Sequence, residues 1–262
     1  MPRILIIEGN SEAIIQETQA KGFSIPCHAY RDALALHEPQ FEYQFAYPFA
    51  KHRQDRLDRL ENYDGFVQTG SAVPQTAGEA GTEPYMQFID DVLATGKPVL
   101  GSCWGLQTAA VALGGKVLPN QRGSEIGLAF DIELTAQGRV HPLFAGMPDR
   151  FHSPCWHRDH VTQMPEGAVR LAGNAVSQVQ AMEYRTNGVD YLGFQYHPET
   201  PLDEMKAWYE AAKPLLGSSS FLVAFPDNPG EEVTNPKLRT KALGNWLRHV
   251  KNQYSEKSAE TA

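Results

Sequence analysis

One cysteine lies in a sequence frame that suits nucleophilic chemistry. In PVLGSCWGLQ, residues 98–107, a strand-like apolar run ends just before Cys103 and a helix-like run follows it. A nucleophile on such a tight turn needs small neighbours, which the glycines at 101 and 105 supply. The positive end of the helix dipole would favour the thiolate, the attacking species. Because a single cysteine in an apolar segment is also typical of core packing, the hypothesis requires a base.

A candidate base and its acid occur near residue 200. In YLGFQYHPE, residues 191–199, an apolar run ends at His197, and Pro198 interrupts strand pairing before Glu199. Residues two positions apart face the same side of an extended segment, so Glu199 can turn back to the imidazole. There it would fix the tautomer and stabilise the imidazolium. The sequence therefore predicts a triad of Cys103, His197 and Glu199.

Thiolate attack on a carbonyl carbon places negative charge on the carbonyl oxygen, and backbone N–H groups are suitable donors to it. We predict that the first amides of the helix, near Trp104, supply one donor. Gly70 lies in a turn that follows the strand-like run at 65–68, and we expect its N–H to supply the second.

Neither a metal nor a cofactor is predicted. His152, His157 and His160 lie close to Cys155 and Asp159 in the sequence, but their spacing matches no familiar zinc pattern. The three cysteines contain no C-x-x-C pair, so we expect them to be reduced and free.

The elements around these residues indicate an α/β fold. Strand-like runs lie at residues 3–7, 41–49, 65–68 and 98–100, and a helical pattern lies at 83–95. This alternation favours a mostly parallel central sheet flanked by helices, with a site at the carboxyl ends of the strands. From residue 127 onward, short strand-like runs follow one another without a convincing helix, which predicts an antiparallel extension.

Composition divides the rest of the chain. We place one domain at residues 1–215 and a loop or linker, rich in Ser, Pro and Gly, at 216–235. An apolar stripe predicts an amphipathic helix at 236–254, packed on the core or on a partner. Residues 255–262 are expected to form a disordered tail.

Bulk properties exclude several classes of protein. The formal net charge of -8 would repel a phosphate backbone, so nucleic acid is not expected as a partner. The basic residues of 51–59 are interleaved with acids, which is typical of a solvated helix face. No run approaches the roughly 18 apolar residues that span a bilayer, and the start lacks the apolar core of a signal peptide. We therefore expect a cytoplasmic protein without membrane contact.

The two long motifs resemble those of a known family. GSCWGLQ followed by GFQYHPE is similar to the frames of the class I (triad) glutamine amidotransferases, which read roughly G-x-C-x-G-x-Q and G-x-Q-x-H-P-E. The resemblance covers about residues 3–200. Stand-alone members similar to the glutaminase domain of GMP synthase also carry a Trp-His-x-Asp segment like residues 156–159. The resemblance implies a flavodoxin-like α/β fold.

The resemblance also implies roles for individual residues. Cys103 would attack the side-chain amide of glutamine, and His197 would protonate the departing ammonia and then activate water. Gln107, Ser71 and His157, the last through its neighbouring backbone, would hold the substrate. One departure from the family pattern occurs after Gly70-Ser71, where Ala-Val precedes the proline that usually follows directly.

Three functions remain open at this point. The first is a glutaminase that supplies ammonia to a separate synthetase or acceptor, since residues 201–262 are too short for an ATP-using synthetase and contain no P-loop. The second is a γ-glutamyl hydrolase or peptidase that needs no partner. The third is a catalytically silent regulatory or binding protein that keeps the fold.

Overall fold

The computed structural model describes residues 1–50, 57–215 and 221–260. The strands are β1 (Arg3–Ile7), β2 (Glu42–Ala46), β3 (Gly65–Gln68), β4 (Pro98–Ser102), β5 (Lys116–Pro119), β6 (Ser124–Leu134), β7 (Arg150–His157), β8 (Asp159–Gln163), β9 (Val169–Gly173), β10 (Ala181–Tyr184), β11 (Asp190–Phe194) and β12 (Phe221–Ala224). The helices are α1 (Glu12–Ala20), α2 (Pro26–Ala35), α3 (Glu83–Leu93), α4 (Trp104–Ala112), α5 (Ala136–Val140), α6 (Leu202–Ala212), α7 (Glu231–Thr234), α8 (Pro236–Arg239) and α9 (Lys241–Glu260). Most of the helix predicted at 51–59 lies outside the described residues.

One large sheet organises the molecule. Its strand order is β12-β6-β9-β10-β11-β4-β3-β1-β2, and β7 also pairs with β6. The run β11-β4-β3-β1-β2 is parallel throughout, whereas β6, β7, β9 and β10 pair with antiparallel neighbours. Strands β5 and β8 form a separate antiparallel pair. The predicted fold class, a mostly parallel central sheet flanked by helices with an antiparallel extension, is confirmed.

The central strands are apolar along their length because helices cover both faces of the sheet. In β1, Ile4 and Ile6 belong to one core, which includes residues of α2 and α9. Leu5 and Ile7 belong to the opposite core, which includes residues of α3 and α4. The alternation of side chains along a strand thus places α4, the helix after Cys103, on one defined face.

The parallel strands end at a common edge of the sheet. The turns after β1, β3, β4 and β11 all leave this edge, and they carry the segments 8–10, 69–71, 103 and 195–199. Parallel sheets form their binding sites at the carboxyl ends of strands for this geometric reason. The fold therefore assembles the predicted site residues from segments far apart in the sequence.

The structure differs from the predicted loop at 216–235. Residues 216–220 lie outside the described residues, but β12 then pairs in parallel with β6, from Phe221 opposite Ser124 to Ala224 opposite Gly127. Helices α7 and α8 follow within the next fifteen residues. The composition of this segment is that of a loop, but pairing with a strand about a hundred residues earlier overrides this local preference.

The C-terminal helix also differs from its predicted bounds. Thr240 separates α8 from α9, and its hydroxyl donates to the Pro236 carbonyl at 2.6 Å. Helix α9 continues to Glu260, although the sequence predicts a disordered tail from Ser255. The residues added to the helix are mainly Glu, Lys, Ser and Ala, of which Glu, Lys and Ala are good helix formers, and the Ser255 hydroxyl donates to Lys251 O at 2.9 Å. Residues 261–262 lie outside the described residues.

Helix α9 packs on the core. Its apolar stripe is almost fully buried and consists of Ala242, Leu243, Trp246, Leu247 and Val250. This stripe is therefore not a surface for a partner. Within the described ranges, none of the helices combines the length and apolar character that crossing a membrane requires.

Candidate active site

Cys103 stands in strained backbone at the start of α4. Its φ is +50° and its ψ is −108°, a conformation that residues with a side chain rarely adopt. Its N–H donates to Phe194 O at 2.8 Å, which ties the turn to the end of β11. The thiol donates to Trp156 O at 3.4 Å. These contacts hold the side chain at the amino end of a helix, as the nucleophile hypothesis requires.

The two predicted glycines are needed for close packing around this turn. A Cβ on Gly105 would lie 2.6 Å from Gln68 O, and one on Gly101 would lie 2.1 Å from the Tyr191 hydroxyl. Neither position has room for a side chain, because backbone and a buried ring occupy the space. The same Tyr191 hydroxyl donates to Gly105 O at 3.2 Å and supports the first turn of α4 from below.

His197 and Glu199 form a direct pair. Nδ1 of His197 lies 2.7 Å from Oε1 of Glu199, and both side chains are buried. The His197 N–H donates to Pro154 O at 2.7 Å, and the Thr200 N–H donates back to His197 O at 3.2 Å. The tight turn at Pro198 thus brings the carboxylate under the imidazole, as the spacing of the motif predicts.

The charge state of His197 is set by its neighbours. Burial alone lowers the pKa of the imidazole, but the charge of Glu199 and the interaction with Cys103 outweigh it and raise the pKa of His197 well above its usual range. The other two thiols are poor competitors as nucleophiles. Burial, assisted by nearby carboxylates, raises the pKa of both Cys27 and Cys155 above the ordinary thiol range.

Gly70 lies where the imidazole and the thiol meet. A Cβ on Gly70 would lie 2.6 Å from Cε1 of His197, 3.4 Å from its Nε2 and 3.5 Å from Cβ of Cys103. The turn after β3 therefore contacts both reacting side chains. The first amides of α4, beginning at Trp104, have no acceptor one turn back within the helix. Gly70 and Trp104 accordingly lie on either side of the thiol, and their role as oxyanion donors stays a prediction.

Ser71 is engaged in holding its own loop. Its hydroxyl donates to Gly9 O at 2.8 Å and accepts from the Val73 N–H at 3.1 Å. The side-chain oxygen of Asn10 accepts from the Ala72 N–H at 2.8 Å. Binding of substrate by the Ser71 hydroxyl stays a prediction, and it would compete with these bonds. Sequence reasoning does not identify Asn10, which has the composition of an ordinary turn residue.

Gln107 and His157 belong to a buried polar network beside the thiol. Nε2 of Gln107 donates to Asp159 O at 2.8 Å and to Oε1 of Gln195 at 3.2 Å. The imidazole of His157 lies between Asp159 O, at 3.0 Å, and a carboxylate oxygen of Glu125, at 2.9 Å. The His157 ring is thus fully occupied by protein groups, which leaves its backbone as the part available to a substrate.

The histidine cluster considered as a metal site does not come together as one. In the part of the chain that is described, no group of three or more His, Cys, Asp or Glu residues is arranged to hold a metal ion. His152 Nδ1 instead accepts from the Asp131 N–H at 3.0 Å, and His160 lies 3.3 Å from the Ser177 hydroxyl.

Comparison with known proteins identifies the family. A family model described as class-I glutamine amidotransferase matches residues 40–212 of the chain. This protein belongs to the class-I glutamine amidotransferases. The match includes the segments that carry Gly70, Cys103, His197 and Glu199 but stops before α7, α8 and α9.

Two relatives show how this class-I amidotransferase is placed among other proteins. It is 32% identical to a γ-glutamyl-L-1-hydroxyisopropylamide hydrolase of a Pseudomonas species, over 84% of this chain and 75% of that protein. It is 41% identical to one subunit of the glutamine-hydrolysing GMP synthase of Methanoculleus marisnigri, over 52% of this chain. That second alignment spans 65% of the archaeal protein, slightly less than two thirds of its length.

Solved structures share the fold over nearly the whole chain. A glutamine amidotransferase from Thermotoga maritima superposes with a TM-score of 0.61 at 24% identity, covering 95% of this chain and 97% of that one. A glutamine amidotransferase from Methylobacillus flagellatus gives a TM-score of 0.61 at 22% identity and covers 97% of this chain and 94% of that one. At these identities the likeness establishes the fold alone.

Proposed function

We propose that this protein hydrolyses γ-glutamyl amides through a thioester on Cys103, with glutamine as the first candidate substrate. One observation carries the proposal: a thiol on a strained strand-to-helix turn beside an imidazole that Glu199 orients at 2.7 Å. That arrangement suits acyl transfer from an amide, and it would be costly to maintain in a silent binding protein.

The reaction begins at the amide carbonyl carbon. The Cys103 thiolate attacks this carbon, a carbon–sulfur bond forms, and the carbonyl electron pair moves to the oxygen. The amides of Gly70 and Trp104 stabilise the resulting oxyanion. When the electron pair returns, the carbon–nitrogen bond breaks, and the His197 imidazolium gives its proton to the departing nitrogen. Neutral His197 then takes a proton from water, which attacks the thioester and releases glutamate and the thiol.

The substrate is held beside the thiol by the buried polar network. The side-chain nitrogen of Gln107 donates to Asp159 and Gln195, whereas its carboxamide oxygen accepts from no donor among the described residues. That oxygen is available to accept from the substrate's amino group. The backbone around Trp156 and His157 offers further contacts, since the Trp156 carbonyl already lies within reach of the thiol.

Two leaving groups fit this chemistry. Membership of the family and the similarity to a GMP synthase subunit favour ammonia from glutamine, delivered to a separate synthetase. The similarity to a γ-glutamyl-L-1-hydroxyisopropylamide hydrolase, over most of this chain, favours an amine from an N-substituted γ-glutamyl amide without a partner. The chemistry uses no cofactor in either case. We place it in the cytoplasm, where free thiols such as Cys103 stay reduced.

A substrate panel tests the proposal. Purified protein is incubated with glutamine and with γ-glutamyl amides of several small amines, and glutamate, ammonia and amine are measured separately. Glutamate with equal ammonia identifies a glutaminase, and glutamate with amine identifies an N-substituted amide as substrate. Cys103→Ala should abolish both, while Cys27→Ala, which removes a buried thiol elsewhere, should not. Glutamate release that survives Cys103→Ala would overturn the proposal.

A further inference from the structure

Arg239 is a buried cation in the C-terminal segment. It is the last residue of α8, it is 9% exposed, and it lies beyond the residues that the family model matches. Among the described residues, no carboxylate oxygen lies within salt-bridge distance of its guanidinium. Burying a charge without a partner is costly, so the hydrogen bonds of this side chain must offset the loss of water.

Those hydrogen bonds go to the backbone of the triad turn. Nε of Arg239 donates to Pro198 O at 3.0 Å, and Nη1 donates to Val233 O at 3.1 Å. Pro198 is the residue between His197 and Glu199, so its carbonyl belongs to the peptide unit that joins the base to its carboxylate. The planar guanidinium thus connects this peptide unit to α7, where Val233 is fully buried.

Helix α8 presents Arg239 in a defined position. The side-chain oxygen of Asn235 accepts from the N–H groups of Lys237 and Leu238 at 3.0 and 3.4 Å and caps the helix. The Arg239 N–H itself donates to Asn235 O at 2.9 Å. Because the cap and the side chain are both fixed, the guanidinium is preorganised to hold the Pro198 carbonyl.

The surrounding charge favours a protonated guanidinium. Burial lowers the pKa of Arg239, but the carboxylates of Glu199, Asp203 and Glu204 oppose this change. The same charge lies on the side of the turn that carries Glu199. Arg239 therefore acts on the pair by geometry, through the Pro198 carbonyl, and by charge, through Glu199.

We propose that Arg239 is a positioning residue for the triad, which fixes the turn between His197 and Glu199 from the C-terminal segment. This inference rests on the proposed chemistry at Cys103. A misplacement of a reacting group by about 1 Å can cost roughly a hundredfold in rate, so loss of this anchor should reduce turnover more than substrate binding.

The test compares three variants. Arg239→Met removes the charge and both donors, whereas Arg239→Lys keeps the charge and one donor group. Arg248→Met, on the exposed side of α9, is the matched control, because the only described partner of Arg248 is Asn245. Each variant is assayed for kcat and KM on the best substrate of the panel, and thermal unfolding gives the folded fraction for normalisation.

The expected result is a division between kcat and KM. Per folded molecule, kcat of Arg239→Met should fall at least tenfold while KM stays within about twofold. Arg239→Lys should recover part of kcat, and Arg248→Met should match the unmodified protein. An unchanged kcat in both Arg239 variants would overturn the inference, and so would a rise in KM alone, since that would place Arg239 in substrate binding.

A second measurement separates this inference from the proposed substrate. The rate of alkylation of Cys103 by iodoacetamide at neutral pH depends on its pairing with His197 but needs no natural substrate. We expect alkylation to slow at least severalfold in Arg239→Met and to keep its rate in Arg248→Met. If no panel compound is hydrolysed, the substrate assignment fails while this rate still decides the role of Arg239. Equal alkylation rates in all variants would refute it.

Discussion

Cys103 shows how a single residue can be held in a conformation that it would not adopt alone. A positive φ at a residue with a side chain costs on the order of 1–3 kcal/mol. The bond from its N–H to Phe194 O, at 2.8 Å, and the close packing of Gly101 and Gly105 hold the turn in place. The strain is thus localised at the residue whose side chain must be presented to a substrate.

The His197–Glu199 pair predicts a specific pH dependence. Because the pKa of His197 is raised, the imidazolium persists as the pH rises past the usual histidine range. Replacing Glu199 with Gln removes the negative charge that contributes to this rise. In Glu199→Gln, kcat should fall about a hundredfold or more, and the alkaline limit of kcat/KM should move to lower pH. A pH series of initial rates measures both effects.

Glu204→Gln is the control for this experiment. It removes a neighbouring carboxylate on α6 that makes no described hydrogen bond to His197. Its pH profile should follow that of the unmodified protein. An alkaline limit that stays in place in Glu199→Gln would contradict the assigned role of the carboxylate.

The triad residues are predictable from the sequence because their chemistry is written locally. Cys103 stands between two glycines at a strand end, and His197 and Glu199 are two positions apart. Asn10 gives no such signal, since it acts on Ala72 across 62 positions, and neither periodicity nor motif spacing reports such contacts. The structure is needed to find residues that work at this distance.

At the scale of elements, the support of α4 from β11 is the main addition to the sequence-based picture. The Tyr191 hydroxyl donates to Gly105 O across 86 positions. In Tyr191→Phe, Gly105 O loses this donor, which should cost about 1 kcal/mol of unfolding free energy and lower kcat severalfold. Denaturant titration and steady-state rates check both effects. Tyr184→Phe, on β10, should leave kcat unchanged, and an equal fall in the two variants would disprove a specific role.

A second contact between elements joins β11 to α9. Asp190 lies 2.6 Å from Nε2 of His249 and accepts from Nε2 of Gln253 at 2.8 Å. Burial raises the pKa of Asp190, but the bond to His249 and the charges of His249 and Arg185 outweigh it, so the pKa is lowered. A lowered carboxyl pKa stabilises the fold above the unfolded value of about 3.9, and the gain is lost as the pH falls through the native value.

Asp190→Asn tests this contact by stability. At neutral pH it should lower the unfolding free energy by about 1–2 kcal/mol, and the difference should shrink as the pH falls below about 4. Asp149→Asn, which alters an exposed pair with Arg139, should change stability by less than about 0.5 kcal/mol. A deficit in Asp190→Asn that is the same at every pH would exclude the assigned linkage.

The strands and helices themselves are predictable where the pattern is periodic. The run 3–7 and the pattern at 83–95 correspond to β1 and α3. The strand at 221–224 escapes prediction because its four residues are too few for a pattern, and its partner β6 lies far away in the sequence. Thr240 escapes prediction as a helix break because its effect depends on a bond to Pro236.

At the scale of the whole molecule, the C-terminal segment is part of the same core as the family domain. Trp246 is 1% exposed, and a Cβ on Gly65 of β3 would lie 3.1 Å from its ring. The amphipathic pattern predicts the helix but leaves open whether it packs on the core or on a partner. That choice depends on the shape of the opposite surface, which the sequence of the helix does not contain.

Trp246→Ala measures this contribution. Truncating a fully buried tryptophan should cost about 3–5 kcal/mol in unfolding free energy, because apolar burial is lost and a cavity remains. Leu238→Ala, at a residue that is 38% exposed, should cost much less. Equal and small costs in denaturant titrations of the two variants would show that α9 does not form part of the core.

The central claim is that Cys103 is the nucleophile, and covalent labelling tests it most directly. The protein is treated with a glutamine-analogue halomethyl ketone, digested and examined by mass spectrometry, with glutamine or the best panel substrate as competitor. The account predicts one label per chain, on the peptide that contains Cys103, with loss of activity in step with labelling and protection by the competitor. Labelling of Cys27 or Cys155 instead, or full activity in protein labelled at Cys103, would contradict it.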